Sequence, residues 1–126
     1  MNSGISTRIE LYKSGTNEYI SFEEREIAST TNNTKWKIYE SKSKKYVISA
    51  QDFHISDFAI CENEEQLIRD LSNLREILGW SIDAFRVGAL RWEMDKVKRS
   101  LGRELSEIGF SVPEVLTEEK HIKYLN

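Results

Sequence analysis

The chain of 126 residues has one cysteine, one proline, six glycines and two histidines. A lone thiol, Cys61, rules out an internal disulfide and any multi-cysteine zinc or iron–sulfur site. No apolar run comes near the ~20 residues that a membrane-spanning helix needs. The opening Met1-Asn2-Ser3-Gly4 is polar and leads into no apolar segment, so no secretory signal and no membrane partner are expected. The expected setting is soluble, reducing and cytoplasmic. Glycine-rich phosphate loops and a Gly-x-Ser-x-Gly elbow are also missing, which removes two common enzyme signatures. Neither charge sign dominates: 18 basic against 21 acidic residues leave a net charge of −3.

What is present describes a folded chain. Five Phe, five Tyr and three Trp are more large apolar groups than a disordered chain carries. Before Asn63 the apolar residues follow period two. Thr7 to Lys13 sets Ile9 and Leu11 on one face and Arg8, Glu10 and Tyr12 on the other. Ser14-Gly15-Thr16-Asn17 is a turn signal, and Tyr19 to Glu23 resumes the alternation through Ile20 and Phe22. The run Glu24 to Ala28 fits a strand or a helical turn equally, and Thr30 to Thr34 reads as a polar loop. Trp36 and Ile38 alternate with Lys35, Lys37 and Tyr39. Ser41-Lys42-Ser43-Lys44 reads as a hairpin connection without the usual glycine. Tyr46 to Ala50 and Phe53 to Cys61 complete a meander of about four to six antiparallel strands, since the connections are too short for crossover helices.

After Asn63 the period lengthens to that of a helix. Asn63 is an N-cap, Glu64 and Glu65 suit the positive end of the helix dipole, and Gln66 holds the capping-box position. Leu67, Ile68, Leu71, Leu74, Ile77 and Leu78 form one apolar stripe ending at Gly79. Ser81 caps a second helix carrying Ile82, Phe85, Ala89, Leu90, Trp92, Met94, Val97, Leu101, Leu105 and Ile108, with Gly109 as its stop. Gly102 predicts a kink or break, because glycine costs about 1 kcal/mol in a helix interior. Thr117 is a candidate cap for a last turn. The sum is an α+β fold in one domain, 1–126: strand-rich over 5–61, helical over 64–109, with a short tail over 110–126. The antiparallel sheet is expected to pack against two helices from the second half.

Catalysis is poorly provisioned, and a non-catalytic protein is expected, with no cofactor and no metal. His54 and Cys61 are the one nucleophile–base pair, but seven residues apart on a strand they face opposite ways. Asp52 and His54 share a face and offer two metal ligands without a third. Glu40-Ser41-Lys42 has acid-x-lysine spacing, as does Glu118-Glu119-Lys120 in the tail, which shows how cheaply the pattern arises. His121 has no catalytic context.

Charge placement says more. Glu18, Glu23, Glu24 and Glu26 face only Arg25 in sequence, and Asp52 to Glu65 holds five acids and no Lys or Arg. With Trp80 as an aromatic anchor, these residues (Glu18, Glu23, Glu24, Glu26, Asp52, Asp57) make an acidic protein-binding face the first expectation. The function expected is a small inhibitor, immunity-type or adaptor protein that occludes its partner's working surface. The alternative is nucleic-acid binding. Lys35, Lys37, Lys42, Lys44 and Lys45 surround Trp36, Tyr39 and Tyr46 in a basic hairpin, and Lys96, Lys98, Arg99 and Arg103 lie on a basic helix face. Phosphate contacts and base stacking need those residue types. The helix cations equally suit the C-terminal end of a dipole, or another copy of the chain in a homo-oligomer.

Overall fold

The computed structural model describes residues 7–31, 34–51, 56–74 and 87–117, with the backbone path alone for 7, 24 and 87–94. Among the described residues five strands form one antiparallel sheet in the order of the chain: β1 (Thr7–Tyr12), β2 (Tyr19–Thr31), β3 (Lys35–Ser41), β4 (Tyr46–Gln51) and β5 (Ser56–Cys61). The helices α1 (Glu64–Ser72) and α2 (Val87–Glu107) follow, and a 3-10 turn spans Glu114–Leu116. The expected α+β meander and its two helices are therefore present. The ambiguous Glu24–Ala28 stretch is strand, and β2 continues through Thr31 into what read as a loop.

The turns form where the sequence marks them. At the β1–β2 turn the Lys13 N–H donates to Glu18 O and the Thr16 hydroxyl to Lys13 O, with Gly15 at φ +78°. The β3–β4 connection closes through Ser41 N–H to Lys45 O, and Lys44 takes the left-handed position at φ +62°. A lysine there forgoes the freedom that glycine would have, at a cost of about 1 kcal/mol.

The sheet is strongly curled. The register between β2 and β3 shifts between Glu26 and Ala28, a bulge that increases local twist. As a result the end of β1 meets the start of β5. The Ser14 N–H donates to Ser56 O, and the Ser56 N–H donates to Ser14 Oγ, both at 2.8 Å. Curling gives the sheet an inner face, packed by Leu11, Tyr39, Val47 and Phe58 with Ile9, Ile20 and Phe22 around them. The larger core lies on the outer face, where Trp36, Ile38, Ile48, Ala50 and Cys61 meet Leu67 and Leu71 of α1 and Val97, Leu101 and Leu105 of α2. Strand β4 is buried on both sides from Tyr46 to Ala50.

Asn63 caps α1 as expected, its side chain accepting from Gln66 N–H at 2.8 Å. Gln66 reaches back one residue further than a capping box, to Glu62 N–H. The first helix stops at Ser72, with Asn73 as its C-cap, earlier than the apolar stripe implies. Leu74 is buried, while Ile77, Leu78, Gly79, Ser81, Ile82 and Phe85 lie outside the described residues. The second helix ends in a Schellman motif: Phe110 N–H to Leu105 O, Gly109 N–H to Ser106 O, and Gly109 at φ +102°. Ile108 falls beyond that last turn and is exposed, so it leaves the apolar stripe.

The expected break at Gly102 does not occur. Helix α2 runs through it, and a Cβ there would overlap the carbonyl oxygen of Leu116. The glycine lets residues 110–117 fold back as a strap across the helix and seat Leu116 in the core. Thr117 ends the strap, its hydroxyl donating to Glu114 O.

Candidate interaction surface

Strand register decides what the charged residues do. Because β2 and β3 are antiparallel neighbours, the acids of 23–26 lie against the basic hairpin. Lys42 Nζ donates to Glu23 Oε2 at 2.9 Å, and Lys37 pairs with Glu26 at 3.1 Å. The Lys42 hydrogen bond lowers the Glu23 carboxyl pKa, and the Glu26 hydrogen bond raises that of Lys37. Lys45 pairs with Glu62 at 3.3 Å, and Glu18 with Lys13 at 3.5 Å. Two patches that look opposite in sequence thus largely neutralise each other across a strand pair. The backbone of Glu24 lies in β2.

Four residues of the expected surfaces are buried. Tyr39, a proposed stacking residue, is 6% exposed, because the curl turns its face of β3 into the inner core, where Phe22 meets it edge-on at 5.9 Å. Trp36 and Tyr46 are buried on the outer face, so the basic hairpin presents none of its aromatics. Asp57, expected on the acidic face, is 6% exposed in β5, and its Oδ1 accepts from Phe58 N–H. Asp52, His54 and Trp80 lie outside the described residues, as do Glu118, Glu119 and His121.

On α2, Lys98 is structural: its Nζ donates to the carbonyl of Ser72, the last residue of α1, at 2.9 Å. Arg103 is exposed and its Nε donates to Arg99 O one turn back, while Arg99 is half-buried and Lys96 exposed. The dipole account of this basic face fails, because the last turn of α2 holds no basic residue. Glu104 instead accepts from Ser29 N–H, tying α2 to β2 just past the bulge.

The residues considered for catalysis are held in structural bonds. Glu40, 8% exposed, takes Arg25 at 2.9 Å, Lys44 at 3.4 Å and the Tyr46 hydroxyl at 3.3 Å. Burial raises its carboxyl pKa, but the Arg25 hydrogen bond and the Lys44 and Arg25 charges outweigh burial and leave it below the ordinary value. Burial and the Glu40 charge push Tyr46 up to about 12. Lys42 turns to Glu23, not to Glu40, so the acid-x-lysine triplet assembles no site. Cys61 is fully buried, its Sγ donating to Asp70 Oδ2, and burial with that bond pushes the thiol well up. Among the described residues no three His, Cys, Asp or Glu gather as a metal site, and no helix is long and apolar enough to cross a membrane.

The surface left open is the outer face of the β1–β2 hairpin. Arg8, Glu10 and Tyr12 on β1 and Tyr19, Ser21 and Glu23 on β2 are all exposed. Tyr12 and Tyr19 are direct cross-strand partners at 51% and 55% exposure. Local desolvation and a hydrogen bond to Glu10 raise the Tyr19 pKa. Alternation marks these as outward residues in the sequence. What identifies them as a surface is that both strands place a tyrosine beside the same turn. Elsewhere a groove of about 600 Å³ between α1 and the strap is lined by Glu64, Glu65, Ile68, Arg69, Ser72, Ser111 and Pro113. Compared with protein-family models, curated proteins and solved structures, the chain finds no match in any of the three.

Proposed function

We propose that this chain is a non-catalytic, cytoplasmic protein-binding module, of the inhibitor, immunity-type or adaptor kind, whose contact surface is the outer face of the β1–β2 hairpin. The observation that carries the reading is the in-register pair Tyr12–Tyr19, more than half exposed on a sheet face that no helix covers among the described residues. Tyrosine supplies broad contact area at small entropic cost and is enriched at binding hot spots. The surrounding Arg8, Glu10, Glu18 and Glu23 supply a polar rim that sets orientation and selectivity more than affinity. The mechanism is occlusion: a stiff sheet face laid over the partner's working surface.

Nucleic-acid binding is the weaker reading. Its hairpin lysines 37, 42, 44 and 45 are paired with glutamates, and its stacking aromatics are buried. The test is a nuclease-treated pull-down from the source cell with wild type and the Tyr12→Ala/Tyr19→Ala variant. A stoichiometric protein held by wild type and lost by the variant supports the reading. Equal capture by both removes the tyrosine face. Nucleic acid in untreated eluate, shed steeply with salt, puts the basic residues first.

A further inference from the structure

Strand β1 is an edge of the sheet, and its backbone pattern defines what the edge offers. The Lys13 N–H bonds inward to Glu18 O. In an antiparallel ladder the inward-bonding residues alternate, so Thr7, Ile9 and Leu11 bond to β2. The N–H and C=O of Arg8, Glu10 and Tyr12 then point away from the sheet. Ser14 obeys the same parity, since its N–H points outward and is taken by Ser56. Among the described residues β5 packs against β1 and bonds to this edge at that corner through Ser14, and the backbone groups of Arg8 and Glu10 make no hydrogen bond along it.

From this edge we infer that a second copy of the chain pairs with β1, antiparallel about a two-fold axis, in the register that places Arg8 opposite Glu10 of the partner subunit. The inference shares Arg8 and Glu10 with the rim of the surface proposed above but does not rest on that reading. Parity restricts pairing to registers that oppose outward-bonding residues. One such register sets Glu10 against Glu10 of the partner subunit, two like charges directly opposed, which is destabilising. Another opposes Arg8 to Ser14 of the partner subunit, whose N–H is already committed within its own chain. Setting Arg8 against Arg8 of the partner subunit again opposes like charges, and setting Tyr12 against Tyr12 of the partner subunit brings Glu10 to the committed Ser14, which leaves the register centred on Ile9. It repeats the Arg8–Glu10 contact on both sides of the axis, each pair exchanging both backbone bonds. Arg8 is exposed and its charge acts on Glu23, its cross-strand partner on β2, but it forms no salt bridge among the described residues. Self-complementarity of this kind is what a two-fold interface requires.

Sedimentation equilibrium of the full chain at low salt, up to about 1 mM given the small strand contact, reads the result. Wild type is expected to dimerise reversibly. Arg8→Glu and Glu10→Arg are each expected to weaken the dimer at least about tenfold, near 1.4 kcal/mol. The combined Arg8→Glu/Glu10→Arg variant, which swaps the charges, is expected to restore affinity to near the wild-type value. Circular dichroism confirms that these exposed substitutions leave the fold intact. A monomer throughout the range overturns the inference. So does a dimer indifferent to the single changes, or one that the combined variant fails to restore. Self-association of the purified chain reads the edge and partner capture reads the tyrosine face, so failure of either is distinguished from failure of the other.

Discussion

Across the outer face of the sheet, β3 and β4 present Trp36, Ile38, Ile48 and Ala50 to the helices, while the β1–β2 hairpin presents Arg8, Glu10, Tyr12, Tyr19, Ser21 and Glu23 to solvent. The two regions belong to one sheet, and β2 runs through both. Its first half is outward and polar. Past the bulge, Ala28 enters the core and Ser29 is bonded by Glu104. What separates them is where the helices lie, and helix placement rests on Gly102, the strap and the Lys98–Ser72 bond. Stability is therefore concentrated on one half of the face, and the other half is free to serve recognition.

Substitutions that break this division should differ by an order of magnitude in cost. Leu101→Ala, at the centre of the covered half, is expected to lose about 2–5 kcal/mol in urea unfolding. Gly102→Ala sharpens the comparison, because helix propensity alone predicts a gain of about 1 kcal/mol. Overlap with the Leu116 carbonyl reverses the sign, and a net loss of about 1–3 kcal/mol is expected as the strap lifts. A measured gain would show that the strap does not hold the helix.

Glu40 stands at the border between the halves. Glu40→Gln is expected to cost about 1.5–3 kcal/mol, the range for hydrogen bonds to a charged group. The pH dependence follows from the direction of its shift. A carboxyl held below its ordinary value stabilises the fold above that value, near 4.5, and the contribution fades as pH falls through the folded value. Thermal unfolding between pH 6 and 3 should show a steeper acid loss in wild type than in the glutamine variant. On the open half the effects shrink. A double-mutant cycle on Glu23 and Lys42 should give about 0.2–1 kcal/mol, diminished by salt. Tyr12→Ala and Tyr19→Ala should each move stability by about 0.5 kcal/mol or less while abolishing partner capture.

Local signals in the sequence carried much of this architecture. Asn63, Gly15 and Gly109 each do the backbone work their residue type predicts, and period two locates β1, the first half of β2, and β3. Features that depend on register or curl were not legible. Glu23 and Lys42 are 19 positions apart, and nothing short of the β2–β3 alignment brings them together. Tyr39 alternates with core residues and so reads as outward, yet a curled sheet has two buried faces. Gly102 is visible as a helix weakness, but the carbonyl that requires it arrives from the strap, fourteen residues later. The expected surface residue Asp57 failed for a related reason, since the packing around β5 that buries it is a tertiary property.

The single thiol has a practical consequence. Cys61 sits fully enclosed between β5 and α1, protonated and bonded to Asp70. An alkylating reagent therefore reaches it only in molecules whose helix layer has come away from the sheet. With one sulfhydryl per chain, each added mass marks one such molecule. Labelling kinetics thus serve as a built-in clock for detachment of the covered half, against which ligand capture on the other half can be timed.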